Sequence, residues 1–486
     1  MTARTLLAGA LLASTPLYAQ PTTQPVLVLL KSNASAAQLS PSGAVEFSLP
    51  TGVGPHEVVV GPDGRTAVVA DYGAREPGRS LTVLDLVDRR VVRTIDLGEY
   101  RRPHGLAWLP GSRRVLVTCE TNQVVLVVAV DEGRVESAIG TNARGTHMVV
   151  VSKDGRTAWT SNIGGSVSRL NLVSRTLEKT APIGAGPEAI DVSPDGRELW
   201  VGDRQLNRVT ILDAVTLDSL ASLPTGEFPN RAKMTPDGRT VLISNARSGT
   251  IAVYDRQQRV RLPDIVIPFD ASRVKDQLLG TQMGASPVPL GILMHPAGQR
   301  AWVALAATDQ IAELDVTARR VARLINTGRE PDGMALVMPT YADDDTSFAA
   351  VQARGAVVMG VDQSTSTHRF ESRADGGRIV LQRDSADAEG TARIRAHLRD
   401  IATRFRRGDF TLPGVVHGET VPGTAVMAAR RASIRYAVDT LPRGGMVTIV
   451  TRDAKARAAI HEFLDYQRRD HRTMDHSMHH GRPEGR

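Results

Sequence analysis

Three histidines sit at equivalent points of a recurring pattern. His56 and His104 follow Pro55 and Pro103, and His147 follows Thr146. The same place holds Glu188 after Pro187, Asn230 after Pro229, Leu290 after Pro289 and Asp332 after Pro331. Neutral imidazoles with carboxylates form the ligand sets of zinc and copper, and the same groups polarise a carbonyl or activate a water. His56, His104, His147, Glu188, Asn230 and Asp332 are therefore the candidate ligands for a metal ion or a small polar molecule. Arg101, Arg102, Arg144, Arg231 and Arg329 lie beside them and point to an electropositive rim that favours an anionic ligand. A second donor group stands near the C-terminus. Met474 and Met478 offer thioether sulfur, which suits Cu(I), and His476, His479 and His480 offer imidazole, which suits Cu(II) or Zn²⁺.

The elements that would position the first group repeat along the chain. Seven residues past each anchoring Pro or Thr, six times over, lies a tight turn such as Pro62-Asp63-Gly64, Pro194-Asp195-Gly196 or Pro236-Asp237-Gly238. The anchors, from Pro55 to Pro331, are spaced 48, 43, 41, 42, 60 and 42 residues apart, the long interval holding an insertion at 270–286. Between anchor and turn is an apolar strand, and three more alternating segments follow the turn. Sixteen residues past the anchor come Asp71, Cys119, Asn162, Asp203, Asn245 and Leu305, four of them residues that bond their own backbone in turns. Four strands every 40-odd residues is the signature of a β-propeller, one sheet per blade. Strands precede the first anchor, and only one follows the last. Met334–Met338 is thus expected to supply the inner strand of the first blade, giving seven blades.

The second strands Ala-Trp-Thr-Ser-Asn (158–162) and Val-Leu-Ile-Ser-Asn (241–245) resemble the YVTN family of bacterial propeller repeats, and the resemblance covers about residues 25 to 338. It implies an all-β seven-bladed β-propeller followed here by a small α+β domain. It also implies that the anchor side chains converge on one mouth of the central channel.

Beyond the propeller (20–338) and a linker (339–359), residues 360–470 read as a duplicated hairpin–helix domain. The turns Ala374-Asp375-Gly376-Gly377 and Pro442-Arg443-Gly444-Gly445 each close a hairpin. Helical periodicity follows at 391–407, with Ile394, Leu398, Ile401 and Phe405 on one face, and at about 454–469, with Ile460, Phe463 and Leu464. His368, His397, His417 and His461 are scattered through this domain and read as structural. The tail, 471–486, has no apolar period and is expected to be flexible. Residues 1–19 match a secretory signal, with Arg4, an apolar run and Leu17-Tyr18-Ala19, which places the protein in a bacterial periplasm or outside the cell.

Composition removes several classes. Of 486 residues, 41% are hydrophobic and 23% charged, which excludes wholesale disorder and a polytopic membrane protein. One cysteine excludes a disulfide framework. A net charge of +7 is too small an excess to indicate nucleic acid. Gly-x-Ser-x-Gly, P-loop and dinucleotide signatures are missing, and Asp465 breaks the zinc-protease pattern begun by His461-Glu462. The residues point to binding more than to catalysis: an exported propeller whose polar, His-bearing mouth takes copper, zinc or a small anionic ligand, or meets another exported protein. The alternative implied by the propeller pattern is a lactonase-like or quinoprotein-dehydrogenase-like enzyme, or a pure interaction scaffold.

Overall fold

A computed structural model describes residues 24–61, 63–110, 112–274, 283–337, 365–417 and 421–471. The expected leader (1–19), the linker (339–359) and the tail donors Met474, His476, Met478, His479 and His480 lie outside the described residues.

Each repeat folds as a four-stranded antiparallel sheet. Blade 2 runs outward from the axis as Pro55–Val60, Thr66–Gly73, Pro77–Asp85 and Arg90–Asp96. Blades 3 to 7 begin with the inner strands Pro103–Trp108, Thr146–Val151, Pro187–Val192, Pro229–Met234 and Pro289–Met294. Blade 1 is composite: Pro331–Leu336 pairs antiparallel with Val26–Leu30, Leu27 opposite Ala335 and Val28 opposite Met334. The count is seven, and the two ends of the propeller meet in one sheet. Middle strands are apolar on both faces because each blade is packed between two others. Leu27, Leu29, Val58, Val69 and Ala335 fill the layer between blades 1 and 2, and Val68, Val83, Val117 and Leu126 the layer between blades 2 and 3.

The repeated polar positions hold the backbone. Asp63, Asp154, Asp195 and Asp237 each accept the N–H two residues on. The glycine that follows takes a left-handed φ, 64° at Gly64 and 70° at Gly238, which a side chain would resist. At the position sixteen past the anchor, Asp203 accepts from Gln205 and Leu206, the local turn expected, and also from Ala185 and Gly186. Asp71 instead accepts from the Gly52 N–H and the hydroxyls of Ser80 and Thr82. Burial outweighs these bonds and raises its pKa to about 6. The folded value then exceeds the unfolded one, so the stability contributed by the neutral form is complete below pH about 4 and is lost as pH rises through about 6. Asn162 and Asn245 fill this position without charge. Asp71→Asn is therefore expected to add up to about 3 kcal/mol of stability near pH 8, seen as a raised melting temperature, and to change little near pH 4. Equal effects at both pH values in thermal melts would contradict this.

The C-terminal domain is one antiparallel sheet, ordered Ser366–Arg373, Gly376–Arg383, Gly444–Thr451, Ile434–Leu441. Helices α1 (Ala388–Arg406), α2 (Thr411–His417), α3 (Thr424–Ala429) and α4 (Ala454–Asp470) accompany it. The elements include hairpin, long helix, hairpin and long helix in that order, and α2 and α3, with no amphipathic stripe to announce them, are additions. Asp387 and Asp453 cap α1 and α4 by accepting N-terminal N–H groups. The turns are the pairs Ala374-Asp375 and Pro442-Arg443, and the Gly-Gly pairs open the central strands instead. Close packing is the reason: a Cβ on Gly377 would stand 2.0 Å from Leu464 Cδ1, and one on Gly444 2.0 Å from the Leu381 carbonyl oxygen. Among the described residues no helix is long and apolar enough to cross a membrane.

Candidate functional site

Inner strands stand side by side around the axis, so the second residue of each meets its counterpart in the next blade. The His56 ring centroid lies 4.8 Å from that of His104, which lies 3.9 Å from that of His147. His147 Nε2 is 3.0 Å from Glu188 Oε1, and the same oxygen accepts from Asn230 Nδ2 at 3.0 Å. Asp332 joins from blade 1, its Oδ2 at 2.8 Å from His56 Nδ1 and 3.4 Å from Lys31 Nζ. The structure thus brings His56, His104, His147, Glu188, Asn230 and Asp332 into one chain of contacts. Leu290, the apolar anchor, packs with Val288, Ala306 and Phe228.

Two further sets of residues belong to this mouth, and of their members the sequence pointed only to Arg231, as a rim cation. The first lies seventeen past the anchors. Tyr72 Oη donates to Glu120 Oε2 at 2.7 Å, Glu120 Oε1 is 2.5 Å from His147 Nδ1, and Arg204 Nη1 donates to Glu188 Oε2 at 2.7 Å. The second lies one residue past the anchoring pair's second member. Glu57 of blade 2 and Arg231 of blade 6 reach across the axis, with Arg231 Nη2 at 2.5 Å and Nε at 3.0 Å from Glu57 Oε1. Gly105, Gly291 and Gly333 hold the same place in other blades, where the backbones crowd the axis. A Cβ on Gly333 would stand 2.4 Å from the His56 carbonyl oxygen. Both sets share a repeat phase, and phase was the available signal.

The rim arginines are partly engaged within the protein. Arg231 is committed to Glu57, while Arg101 and Arg102 donate to the carbonyls of Gly98 and Ala74. Arg102 also lies over the Tyr72 ring, 4.7 Å from its centroid. Glu57, Glu120, Glu188 and Asp332 offset part of the nearby positive charge.

Burial and pairing set the charges. Burial opposes protonation of His147, but the Glu188 and Glu120 carboxylates prevail and lift its pKa to about 9. Burial likewise opposes ionisation of Glu188, and His147, Arg204 and Arg231 prevail, holding it near 2. His104 has no such carboxylate. Burial, with His147 and His56 as like neighbours, holds it well below the usual histidine value and neutral. Burial and Lys31 bring His56 to about 4 in spite of Asp332. Cys119, beside Glu120, is fully buried and its thiol is pushed up to about 12, so it is inert.

His104 is 4% exposed, and its Nδ1 is buried without a hydrogen-bond partner. One ligand atom each of His104, Glu120 and His147 lies within 4.8 Å of the other two. His56 stands on the other side of His104 with its Nδ1 engaged by Asp332. A metal ion could sit between these two imidazoles and the carboxylate by replacing the proton that His147 Nδ1 shares with Glu120.

Comparison with known proteins agrees on architecture. Over 160 residues the chain is 27% identical to the hydrazine synthase subunit beta of Kuenenia stuttgartiensis, a stretch that spans 33% of this chain and 36% of that one. The chain therefore matches only about a third of that relative's length. Among solved structures, a functionally unknown protein from Desulfotomaculum acetoxidans superposes with a TM-score of 0.53 at 13% identity, covering 64% of this chain and 98% of that one. Kuenenia stuttgartiensis hydrazine synthase gives 0.48 at 17% identity, covering 58% and 88%. Residues 30–266 match the family described as Lactonase, 7-bladed beta-propeller, and with the seven blades observed this identifies the N-terminal part of the chain as a seven-bladed β-propeller.

Proposed function

We propose that the propeller mouth binds a divalent transition-metal ion, zinc or copper, between His104, His147 and Glu120, in an exported binding protein of the periplasm or cell exterior. The buried, partnerless Nδ1 of His104 carries this reading. Such an atom costs about 1–3 kcal/mol if left unsatisfied, and a bound ion satisfies it. Two imidazoles and a carboxylate match the donor set of open zinc sites, which keep a position for water or a small polar ligand. Tyr72 orients Glu120, and Glu188 holds the second nitrogen of His147, the outer support such ligands use. His56, Asn230 and Asp332 line the adjoining space. The leader pattern at residues 1–19 supports the exported placement.

The family match over residues 30–266 favours one alternative, hydrolysis of a lactone at the same mouth. A bound ion would supply Lewis acidity toward a carbonyl oxygen or a water. In the full-length protein, His104→Gln is expected to weaken Zn²⁺ binding by about 100-fold or more, since losing an outer partner alone costs about 10–100-fold. Melting should stay close to that of the parent. Unchanged Zn²⁺ titrations would remove the metal reading, and turnover of simple lactones lost in the same variant would favour the enzyme.

A further inference from the structure

The C-terminal domain gathers histidines that its sequence scatters. His368 on the first strand, His397 on α1, His417 at the end of α2 and His471 just past α4 all line one pocket, with Phe370, Ile401, Phe405 and Phe463 among its apolar walls. The pocket encloses a cavity of about 70 Å³. The His417 and His471 ring centroids are 5.1 Å apart at 88°, and those of His368 and His471 are 5.6 Å apart. An imidazole centroid lies about 3.2 Å from an ion bound at about 2.0–2.1 Å, so two rings at a tetrahedral angle stand about 5 Å apart. The observed spacings are of that size.

One of the ring nitrogens stands open. His471 is 7% exposed, and its Nδ1 is buried without a partner in the pocket wall. His417 Nδ1 is held by the Asp470 carboxylate, which leaves Nε2, now on Gln467 Oε1 at 3.0 Å, as the outward nitrogen. A carboxylate behind a histidine is the support seen behind metal-ligating imidazoles. His368 Nε2 meets the Ser366 hydroxyl at 3.1 Å. His461, the remaining histidine of this domain, lies apart and bonds the Arg373 carbonyl.

We propose that this pocket is a second metal site, independent of the propeller mouth, in which His368, His417 and His471, with His397 beside them, hold a monovalent copper ion. Ionic charge selects the ion. The cost of burying an ion grows as the square of its charge, and the donors here are neutral, with one carboxylate, Asp470, behind them. A monovalent ion therefore suits this pocket, whereas the mouth, with Glu120 as a donor, suits a divalent one. Imidazole binds copper well, and the apolar walls keep water from the ion.

The test is anaerobic titration of the full-length protein with Cu⁺ against a chromophoric chelator. The parent is compared with His368→Gln/His471→Gln, with His471→Gln alone, and with His461→Gln. The double variant is expected to lose one equivalent of tightly bound copper, and His471→Gln to bind that equivalent at least about tenfold more weakly. His461→Gln should match the parent. His471 caps a helix end, so its single variant keeps the test open if the double variant misfolds. Parental uptake in His471→Gln overturns the proposal, as does an equal loss in His461→Gln. Loss of Zn²⁺ instead of Cu⁺ overturns the choice of ion, and with it the proposal. His104→Gln, which alters only the mouth, is expected to leave this equivalent in place.

Discussion

Ending the chain after Glu330 is expected to unfold the propeller, while ending it after Thr340 is expected to spare it. Both truncations remove the C-terminal domain. Only the first removes Pro331–Leu336, the inner strand of blade 1. Its loss strips one edge of Val26–Leu30, a strand buried at every residue, and uncovers Leu27 and Leu29 in the layer against blade 2. A native domain is stable by about 5–15 kcal/mol in all, and losing a central strand removes a comparable amount. A point change makes the same test without shortening the chain. Ala335 is 7% exposed and packs against Leu27 and Val58, so Ala335→Asp places a carboxylate among apolar side chains. It should cost about 3 kcal/mol or more in urea denaturation. Identical melting of the two truncated chains would mean that ring closure contributes nothing.

Glu188→Ala should have the second largest effect. Glu188 is buried at 5% side-chain exposure and serves His147, Arg204, Asn230 and Arg231. Arg204 lies 28% open to solvent and can turn outward, but His147 and Arg231, at 5% and 9%, cannot. Removing one partner of a buried ionic network leaves uncompensated charge and costs about 3–5 kcal/mol. Glu188→Gln keeps the shape and one accepting oxygen, so it should fall between the parent and Glu188→Ala. Chemical denaturation measures both. A loss below about 1 kcal/mol for the alanine variant would show that water enters the mouth and screens these charges.

How far the sequence could be read depends on how strongly each feature repeats. Blade number, the composite blade and the ring of second-position residues all follow from a phase restated six or seven times, and each is seen in the structure. Glu120 and Tyr72 were as regular in phase as His104, but their types vary from blade to blade, through Ile163 and Ala246, so no single column drew attention to them. The Glu57–Arg231 pair joins blades 174 residues apart, and only a closed ring makes them neighbours. In the C-terminal domain the pattern gave the two long helices and their apolar stripes. It could not give the meeting of His368, His417 and His471, which depends on how α2, α4 and the first strand pack together. The same packing explains the Gly-Gly pairs, whose spacing suggested turns until Leu464 and the Leu381 carbonyl occupied the room a side chain would need.

Joining Val26–Leu30 to Pro331–Leu336 also sets a timetable. Val26–Leu30 cannot complete its sheet until residue 336 exists, some 300 residues later. At about 5–20 residues per second the delay is roughly 15–60 s. Throughout that interval the apolar strand Val26–Leu30 has no partner on its inner side, long enough for encounters with other nascent chains. The protein's yield in a cell should therefore depend on whatever shields this strand during synthesis, even where the finished ring is very stable.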